Sequence, residues 1–160
     1  MKELLFAAYS LDIGGIEKSL VTLTNYLQKR GYQITIILEK KQGIFLKELN
    51  KDIKVIEYRP DESKNILKRK AKNLVKRFKF MIKYKNKFDF SASFATYSIV
   101  ASFISRVASK NSCLWGHADY YTLFGNDKVK MKKFFKKINY HKFKHVIFVS
   151  KEGKSSFLNI

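Results

Sequence analysis

The fold is decided by residues 2–38, which read KELLFAAYSLDIGGIEKSLVTLTNYLQKRGYQITIIL. Residues 2–9 form an apolar run short enough for a β-strand and apolar enough to be buried on both faces. Gly14-Gly15 breaks this run, and apolar residues then recur at helical spacing up to Gly31, a residue suited to the left-handed conformation that ends a helix. A second apolar run at residues 32–38 completes a predicted strand–helix–strand unit.

The same alternation continues to the end of the chain. Further strands are predicted at residues 53–58, 88–94, 112–115 and 145–149. Helices are predicted at residues 44–49, about 63–85, 98–108, 128–138 and from 151 onwards. The pattern predicts one α/β domain over residues 1–160, a Rossmann-like, doubly wound parallel sheet of about six strands with helices on both faces. Ligands of such sheets bind beside the carboxyl ends of the strands, so functional residues are expected directly after each strand.

Composition excludes several classes of protein. The chain has 160 residues, 46% of them hydrophobic, which is enough for a full core without disulfides or a structural metal. The only cysteine, Cys113, excludes a disulfide framework and a cysteine-rich zinc site, and it favours a reducing, cytoplasmic compartment. The longest run without charge, residues 90–105, is too short to span a membrane, and the first apolar run is too short for a signal peptide.

The formal net charge of +20 is unevenly distributed. Residues 1–63 carry ten basic and nine acidic side chains, whereas residues 64–160 carry twenty-three and four. A charge this lopsided bears on the choice of partner more than on the fold.

Gly14-Gly15 follows a predicted strand and opens a predicted helix, so unpaired backbone N–H groups are exposed there with no side chain in the way. Such a helix start can hold a phosphate. The dinucleotide fingerprint is excluded because Ile16 and Glu17 break its glycine spacing, and no Gly-Lys-Ser/Thr closes a Walker loop. The alternative is a tight turn before a helix.

Three stretches of the chain carry a family resemblance together. They are Gly14-Gly15-Ile16-Glu17-Lys18-Ser19-Leu20 with residues 23–27 and 29–35 after it, Leu114-Trp115-Gly116-His117-Ala118-Asp119-Tyr120, and Val146-Ile147-Phe148-Val149-Ser150. In this order and spacing they resemble the N-terminal domain of family 4 (group 1) glycosyltransferases, capsule and exopolysaccharide type. The matching features of that domain are its Gly-Gly-x-Glu loop, its Arg-Gly-(His/Tyr) turn, its Trp-x-His-x-Asp-(Phe/Tyr) segment and its last strand.

The resemblance implies one half of a two-domain GT-B enzyme, the N-terminal, acceptor-side half of a retaining glycosyltransferase. The C-terminal half of that family carries a Glu-x7-Glu pair and binds most of the nucleotide-sugar donor. No two glutamates of this chain stand eight positions apart, so that donor-binding domain is expected to be absent and the 160 residues alone to have little or no transferase activity. The resemblance implies a nucleotide-sugar as substrate and no metal or other cofactor.

The resemblance also assigns roles to single residues. His117 and Asp119 are the candidate catalytic residues: His117 would orient donor or acceptor hydroxyls, and Asp119 would hold His117 or contact the acceptor. The alternatives are a structural histidine and an N-cap carboxylate. Candidates for binding the donor phosphate or the acceptor are Gly14, Gly15, Glu17, Trp115 and Ser150, of which Ser150 is expected to act mainly as a helix N-cap. His141 and His145 have no cysteine or carboxylate at ligand spacing, so no metal site is expected there.

Two basic segments predict a membrane surface as partner. Residues 64–87 contain eleven lysines and arginines and no acid, and Leu67, Ala71, Leu74, Val75, Phe78 and Ile82 recur on one helical face that is expected to pack on the sheet. Phe80 and Tyr84 fall off that face and are expected to insert among lipids, as in interfacial helices. Residues 128–144 form a second such segment, with eight lysines around four apolar residues. The candidate membrane-binding residues are Lys68, Arg69, Lys72, Lys76, Arg77, Lys79, Phe80, Lys83, Tyr84, Lys132, Lys133, Lys136 and Lys137.

Three functions are therefore compared. The first is the acceptor-binding half of a glycosyltransferase that acts on a lipid-linked or polysaccharide acceptor. This protein would be cytoplasmic and peripheral on the inner face of the membrane, where each cation near an anionic leaflet adds about 1 kcal/mol to the binding free energy. The second is a basic, non-catalytic nucleic-acid-binding domain, which lacks a helix-turn-helix, RNP-like or zinc-finger pattern, so no specific nucleic acid is expected. The third is a nucleotide-binding scaffold without transfer. A solvated basic face remains the alternative to membrane binding.

Overall fold

The structure, a computed structural model, describes residues 1–159 and contains one six-stranded, all-parallel sheet. The strands are β1 (Glu3–Ala8), β2 (Gln33–Leu38), β3 (Lys54–Glu57), β4 (Phe90–Ser93), β5 (Ser112–Gly116) and β6 (His145–Phe148). Their order is β3-β2-β1-β4-β5-β6, so the chain runs outward from β1 on one side and then crosses to the other. The predicted Rossmann-like, doubly wound α/β sheet is confirmed.

Six helices connect and follow the strands. They are α1 (Gly15–Lys29), α2 (Ile66–Tyr84), α3 (Ile99–Ala108), α4 (Tyr120–Leu123), α5 (Lys128–Lys137) and α6 (Lys151–Leu158), with short 3₁₀ turns at Ile44–Glu48 and Tyr140–Lys142. The short helix α4 was not predicted. Helix α1 ends at Gly31, whose φ of 86° is the left-handed conformation expected there.

The core lies on both sides of β1 because that strand is apolar along its whole length. Leu5, Phe6 and Ala7 are almost completely buried between α1 and the helices of the opposite face. A second cluster joins β5 to α5, where Leu114, Met131 and Phe135 are fully inaccessible. The strands that carry the glycine loop and the histidine loop are therefore firmly packed.

Helix α2 packs on the domain with a different face from the expected one. Phe80, which was expected to insert among lipids, is only 5% exposed and packs against the rings of Tyr58, Phe103 and Tyr84, whose centroids lie 5.4, 5.8 and 4.8 Å away. Phe78, on the face expected to pack on the sheet, is 63% exposed. The expected orientation is wrong because the ring of Phe80 fills the aromatic gap between Tyr58 and Phe103. Phe80 is accordingly packed inside the domain and not available to lipids, and Tyr84 is partly buried against it.

The apolar side of α5 is also unavailable to a membrane. Met131, Phe135 and Ile138 belong to the second core cluster, and Phe134 stacks on Tyr120 at 5.3 Å. The lysines of this helix therefore surround a face that is already covered by the sheet. Within residues 1–159, no helix combines the length and the apolar character that crossing a bilayer requires.

Candidate functional site at the carboxyl edge of the sheet

Three connecting loops meet at one edge of the sheet, which is called the cleft edge below. They follow β1, β4 and β5, which are neighbours in the sheet and parallel, so their carboxyl ends lie side by side. The first loop carries Gly14 and Gly15, the second residues 94–98, and the third His117 and Asp119. The glycine loop and the histidine loop, separated by about a hundred residues in the sequence, are thus placed at one edge by the order of three strands.

The glycine loop has an open backbone but an acidic surrounding. Gly14 is the N-cap residue of α1 and makes no side-chain cap, and a Cβ added at Gly15 would meet no atom within 4 Å. The carboxylate of Glu17 folds back over Gly14, where an added Cβ would collide with it. A phosphate at this helix start would have to displace that carboxylate. The loop is therefore better suited to hydroxyl groups, which donate hydrogen bonds to carboxylates, than to a phosphate.

Asp12 adds a second carboxylate to this loop. Its Oδ2 accepts hydrogen bonds from Ser10 Oγ at 2.7 Å and from Gln42 Nε2 at 3.1 Å. These two bonds hold the pKa of Asp12 below its usual range. The carboxylate is therefore ionised and oriented at neutral pH.

The glycine loop is supported from below by the segment after β2. The N–H of Leu11 donates to the Gln42 carbonyl at 2.9 Å, and the N–H of Phe45 donates to the Leu11 carbonyl at 3.1 Å. Between them, Gly43 has a φ of 119°, and its Cα lies against the Leu11 backbone so closely that a side chain has no room. The loop is positioned by backbone contacts at Gly43.

His117 lies half-buried in an aromatic cluster. Its ring centroid is 4.5 Å from that of Phe94 and 6.5 Å from that of Trp115, and it is almost parallel to Trp115. Burial lowers the pKa of His117, and a hydrogen bond to the backbone of Phe94 acts in the opposite direction. Nε2 is shielded from solvent and has no hydrogen-bond partner among the described residues. The ring is therefore neutral at pH 7, and one of its nitrogens is free to bond to another group.

Asp119 is a helix cap and does not hold His117. Its carboxylate accepts from the N–H of Tyr121 at 3.1 Å and from Thr122 Oγ1 at 2.7 Å, at the start of α4. The hydrogen bond from Thr122 is the main cause that lowers the pKa of Asp119. The expectation that Asp119 holds the histidine is wrong because its carboxylate is used in the cap of α4, and no hydrogen bond joins it to His117 among the described residues. A contact between Asp119 and an acceptor remains a prediction.

Ser150 has the role expected of it. Its Oγ accepts from the N–H of Gly153 at 3.0 Å and caps α6. A Cβ on Gly153 would lie 2.9 Å from the Ala118 carbonyl, so the first turn of α6 rests directly on the histidine loop. Ser150 supports the site through this contact.

Trp115 points to a face of the sheet as well as toward His117. Its ring packs on Phe94 with centroids 5.0 Å apart, and it lines an open groove of about 330 Å³ between α1 and the sheet. The groove is mostly apolar, with Leu23, Leu27 and Phe90 in its walls. Trp115 therefore fixes the aromatic cluster under His117.

Two residues of the cleft edge were missed at the sequence level. Glu39 directly follows β2, is only 8% exposed and accepts a hydrogen bond from Ser98 Oγ. Tyr97 has its pKa raised to about 12, first by burial and then by the nearby charges of Glu17 and Glu39. Tyr97 therefore lies near the charges of both the glycine loop and the end of β2, and its ring centroid is 6.4 Å from that of Tyr9. The rule that functional residues follow strands could have identified Glu39, which stands directly after the predicted strand at residues 32–38.

Replacing Glu39 with glutamine is expected to make folding stability less dependent on pH. Burial raises the pKa of Glu39, so the folded protein protonates this carboxyl at a higher pH than the unfolded chain does. The stability that Glu39 contributes is complete below the pKa of this carboxyl in the unfolded chain. It is lost as pH rises through the raised pKa of the folded protein. Glu39→Gln should therefore be more stable than the wild type at pH 7.5, with an advantage that shrinks toward pH 5.

Urea denaturation at the two pH values measures this difference. The exposed Glu152, replaced in the same way, is the control and should show the same change at both pH values. An equal change at both pH values for Glu39→Gln would show that burial of this carboxyl carries no cost.

Comparison with known proteins gives a match among solved structures. No family model matches the chain, and no curated protein matches it. Among solved structures, the crystal structure of HepE from Anabaena in complex with UDP and glucose superposes with a TM-score of 0.66 at 17% sequence identity. The match covers 99% of this chain and 41% of HepE, so the chain spans less than half the length of that protein. The match confirms the fold over the whole described domain.

Proposed function

We propose that this chain forms the acceptor-side half of a retaining glycosyltransferase, which transfers a sugar from a nucleotide-sugar to a lipid-linked or polysaccharide acceptor. The cleft edge carries this proposal, because there the glycine loop, Glu39 and His117 surround one side of the sheet with hydrogen-bonding groups. The fold match to HepE, whose crystal structure holds UDP and glucose, supports a sugar-nucleotide function. The place of action is the cytoplasmic face of the membrane.

His117 orients a sugar hydroxyl in this proposal. Nε2 is buried without a partner, and the neutral ring accepts a hydrogen bond there in the tautomer whose proton is on Nδ1. A buried polar atom without a partner costs free energy, and a hydroxyl that donates to it removes that cost. A small movement of the histidine loop gives the hydroxyl access to this shielded nitrogen. The lowered pKa keeps the acceptor form present at neutral pH.

The carboxylates of the cleft edge bind other hydroxyls of the acceptor. Asp12 and Glu17 lie on the glycine loop, and Glu39 lies behind Tyr97 at the end of β2. Carboxylates accept hydrogen bonds from sugar hydroxyls, whereas they repel the phosphates of a donor. Stabilisation of the departing nucleoside diphosphate is therefore assigned to a second, donor-binding half across the cleft. That half would act by positioning and electrostatics. The chemistry proposed here uses no metal and no other cofactor.

Replacement of His117 by alanine is expected to reduce sugar transfer by about 100-fold, since a misplaced acceptor loses most of its rate. Transfer of radiolabelled sugar from a set of nucleotide-sugars to membrane lipids is measured in extracts of the host cell. The gene in those cells carries the wild type, His117→Ala or His141→Ala. His141 is exposed and belongs to a 3₁₀ turn outside the cleft edge, so its replacement should leave transfer within about twofold.

Two results would contradict the proposal. One is equal incorporation by the two histidine variants, and the other is labelling that persists when the gene is deleted. Binding is measured separately by NMR titration of the chain with methyl glucoside, a sugar that offers hydroxyl groups and carries no phosphate. Shifts at Gly15 and His117, and none at His141 and His145, are expected.

A further inference from the structure

Helix α2 presents a stripe of apolar side chains to solvent on the side opposite Phe80. At 100° per residue, these side chains fall within one third of the helix circumference. All are exposed in the structure: Leu67, Ala71, Leu74, Val75, Phe78 and Ile82. This set is the lipid stripe below. A contiguous apolar surface of this kind on a domain surface marks an interaction site.

Cations border the lipid stripe on both sides. Lys68, Lys72, Lys79 and Lys83 lie along one side of it, and Lys70 and Arg77 lie along the other. The helix contains no acidic residue. An apolar stripe between two rows of cations is complementary to a surface with anionic groups above an apolar interior.

Further cations converge beside the helix. A groove of about 360 Å³ separates α2 from the edge strand β3, and Arg59, Lys76, Lys79 and Lys83 line it together with Tyr58 and Tyr84. Lys76 Nζ donates to the Arg59 carbonyl at 2.9 Å, which fixes its stem along this groove. Arg59 and Lys76 thus add two cations beside the row that already contains Lys79 and Lys83.

The helix is held firmly by its other side. Phe80 anchors the C-terminal part in the aromatic cluster. Asn73 anchors the middle, because its Oδ1 accepts from the N–H of Asp61 at 2.7 Å and its amide donates to the Asp61 carbonyl at 3.1 Å. Lys72 adds an ion pair with Asp61 at 3.2 Å. The lipid stripe therefore does not need to turn inward for the domain to fold.

We propose that α2 lies flat in the headgroup region of an anionic lipid membrane, with the lipid stripe inserted and the bordering cations on the phosphates. This inference reverses the face expected from the sequence, because Phe80 and Tyr84 stay in the domain and Leu74, Phe78 and Ile82 enter the lipid. The attraction of each cation to the anionic leaflet and the burial of several apolar side chains act together. The inference rests on the proposed function only in placing the acceptor at a membrane.

The position of α2 connects this surface to the cleft edge. The loop before the helix carries Glu62, whose charge acts on both Glu39 and Lys40 at the end of β2. The N-terminal end of α2 therefore begins beside the cleft edge. A membrane bound along α2 would present a lipid-linked acceptor next to the glycine loop.

Vesicle sedimentation of the 160-residue chain at physiological salt tests the inference. The vesicles contain phosphatidylcholine alone or with phosphatidylglycerol. The wild type should bind the anionic vesicles, and Leu74→Ser with Ile82→Ser should lower the partition coefficient at least about tenfold. The matched control is Ile44→Ser with Leu158→Ser, which also removes one isoleucine and one leucine. These two side chains are 56% and 68% exposed, compared with 69% for Leu74 and for Ile82. The control should bind within about twofold of the wild type.

The alternatives give different results. Equal loss in the stripe and control pairs, or equal recovery of the wild type with neutral and anionic vesicles, would overturn the inference. Retardation of a random duplex oligonucleotide at the same salt, without vesicle binding, would assign the cations to nucleic acid instead. Because no sugar donor is present, failure here leaves the role of His117 untouched, and failure of transfer leaves vesicle binding untouched. A Phe78→Trp variant in a Trp115→Phe background should show a blue shift of its fluorescence on anionic vesicles.

Discussion

Replacement of Phe80 by alanine is expected to lower the free energy of unfolding by about 3–5 kcal/mol, the cost of removing a buried aromatic ring. Phe80 is the one fully packed side chain of α2, and its ring touches Tyr58 on the edge of β3 and Phe103 on α3. Without it the helix loses its main attachment to the sheet. Urea denaturation followed by circular dichroism measures the loss.

Phe78 provides the matched control two residues away on the same helix. Its ring is exposed, so Phe78→Ala should change the free energy of unfolding by no more than about 0.5 kcal/mol. The sequence interpretation, with Phe78 in the core and Phe80 in lipid, predicts the opposite order. Equal costs for the two variants, or a larger cost for Phe78→Ala, would contradict the packing of α2.

The strands and their parallel sheet could be predicted because the apolar runs are short and bounded by clear turns. Residues 4–8 and 36–38 are entirely apolar, so burial between two layers of helices follows from composition. The orientation of α2 could not be predicted in this way. Its longest apolar stripe obeys helical periodicity, yet periodicity identifies a stripe without saying which surface covers it. The aromatic gap between Tyr58 and Phe103 that accepts Phe80 is formed by residues more than twenty positions away.

The candidate site could be predicted only in part for a similar reason. The meeting of Gly14 and His117 at one edge follows from a parallel sheet. The partner of the histidine does not, because Asp119 stands two residues from His117 and yet faces the start of α4, while Phe94 comes from the neighbouring strand. The short spacing in the sequence therefore indicated Asp119 as the partner of His117, whereas the fold places Phe94 beside the ring.

Replacement of Gly43 by alanine is the second large effect, and it is expected to cost more than about 3 kcal/mol. At φ 119° and ψ 154°, the backbone of Gly43 is in a region that is almost exclusive to glycine. A methyl group would also collide with the carbonyl of Leu11, which is backbone and is held by the N–H of Phe45. The collision cannot be relieved by rotating a side chain, so the glycine loop itself would have to move.

Gly125 separates the two causes. Its φ of 67° is also positive, but an added Cβ would meet no atom within 4 Å. Gly125→Ala therefore measures the cost of the left-handed conformation alone, about 1 kcal/mol, and the excess cost of Gly43→Ala measures the collision with Leu11 together with the less accessible conformation of Gly43. Thermal and urea denaturation give both values, and equal costs would show that Leu11 yields to the methyl group. If the collision instead displaces Leu11, amide shifts of Gly15 should change in Gly43→Ala and stay unchanged in Gly125→Ala, because only Gly43 supports the segment that leads into α1.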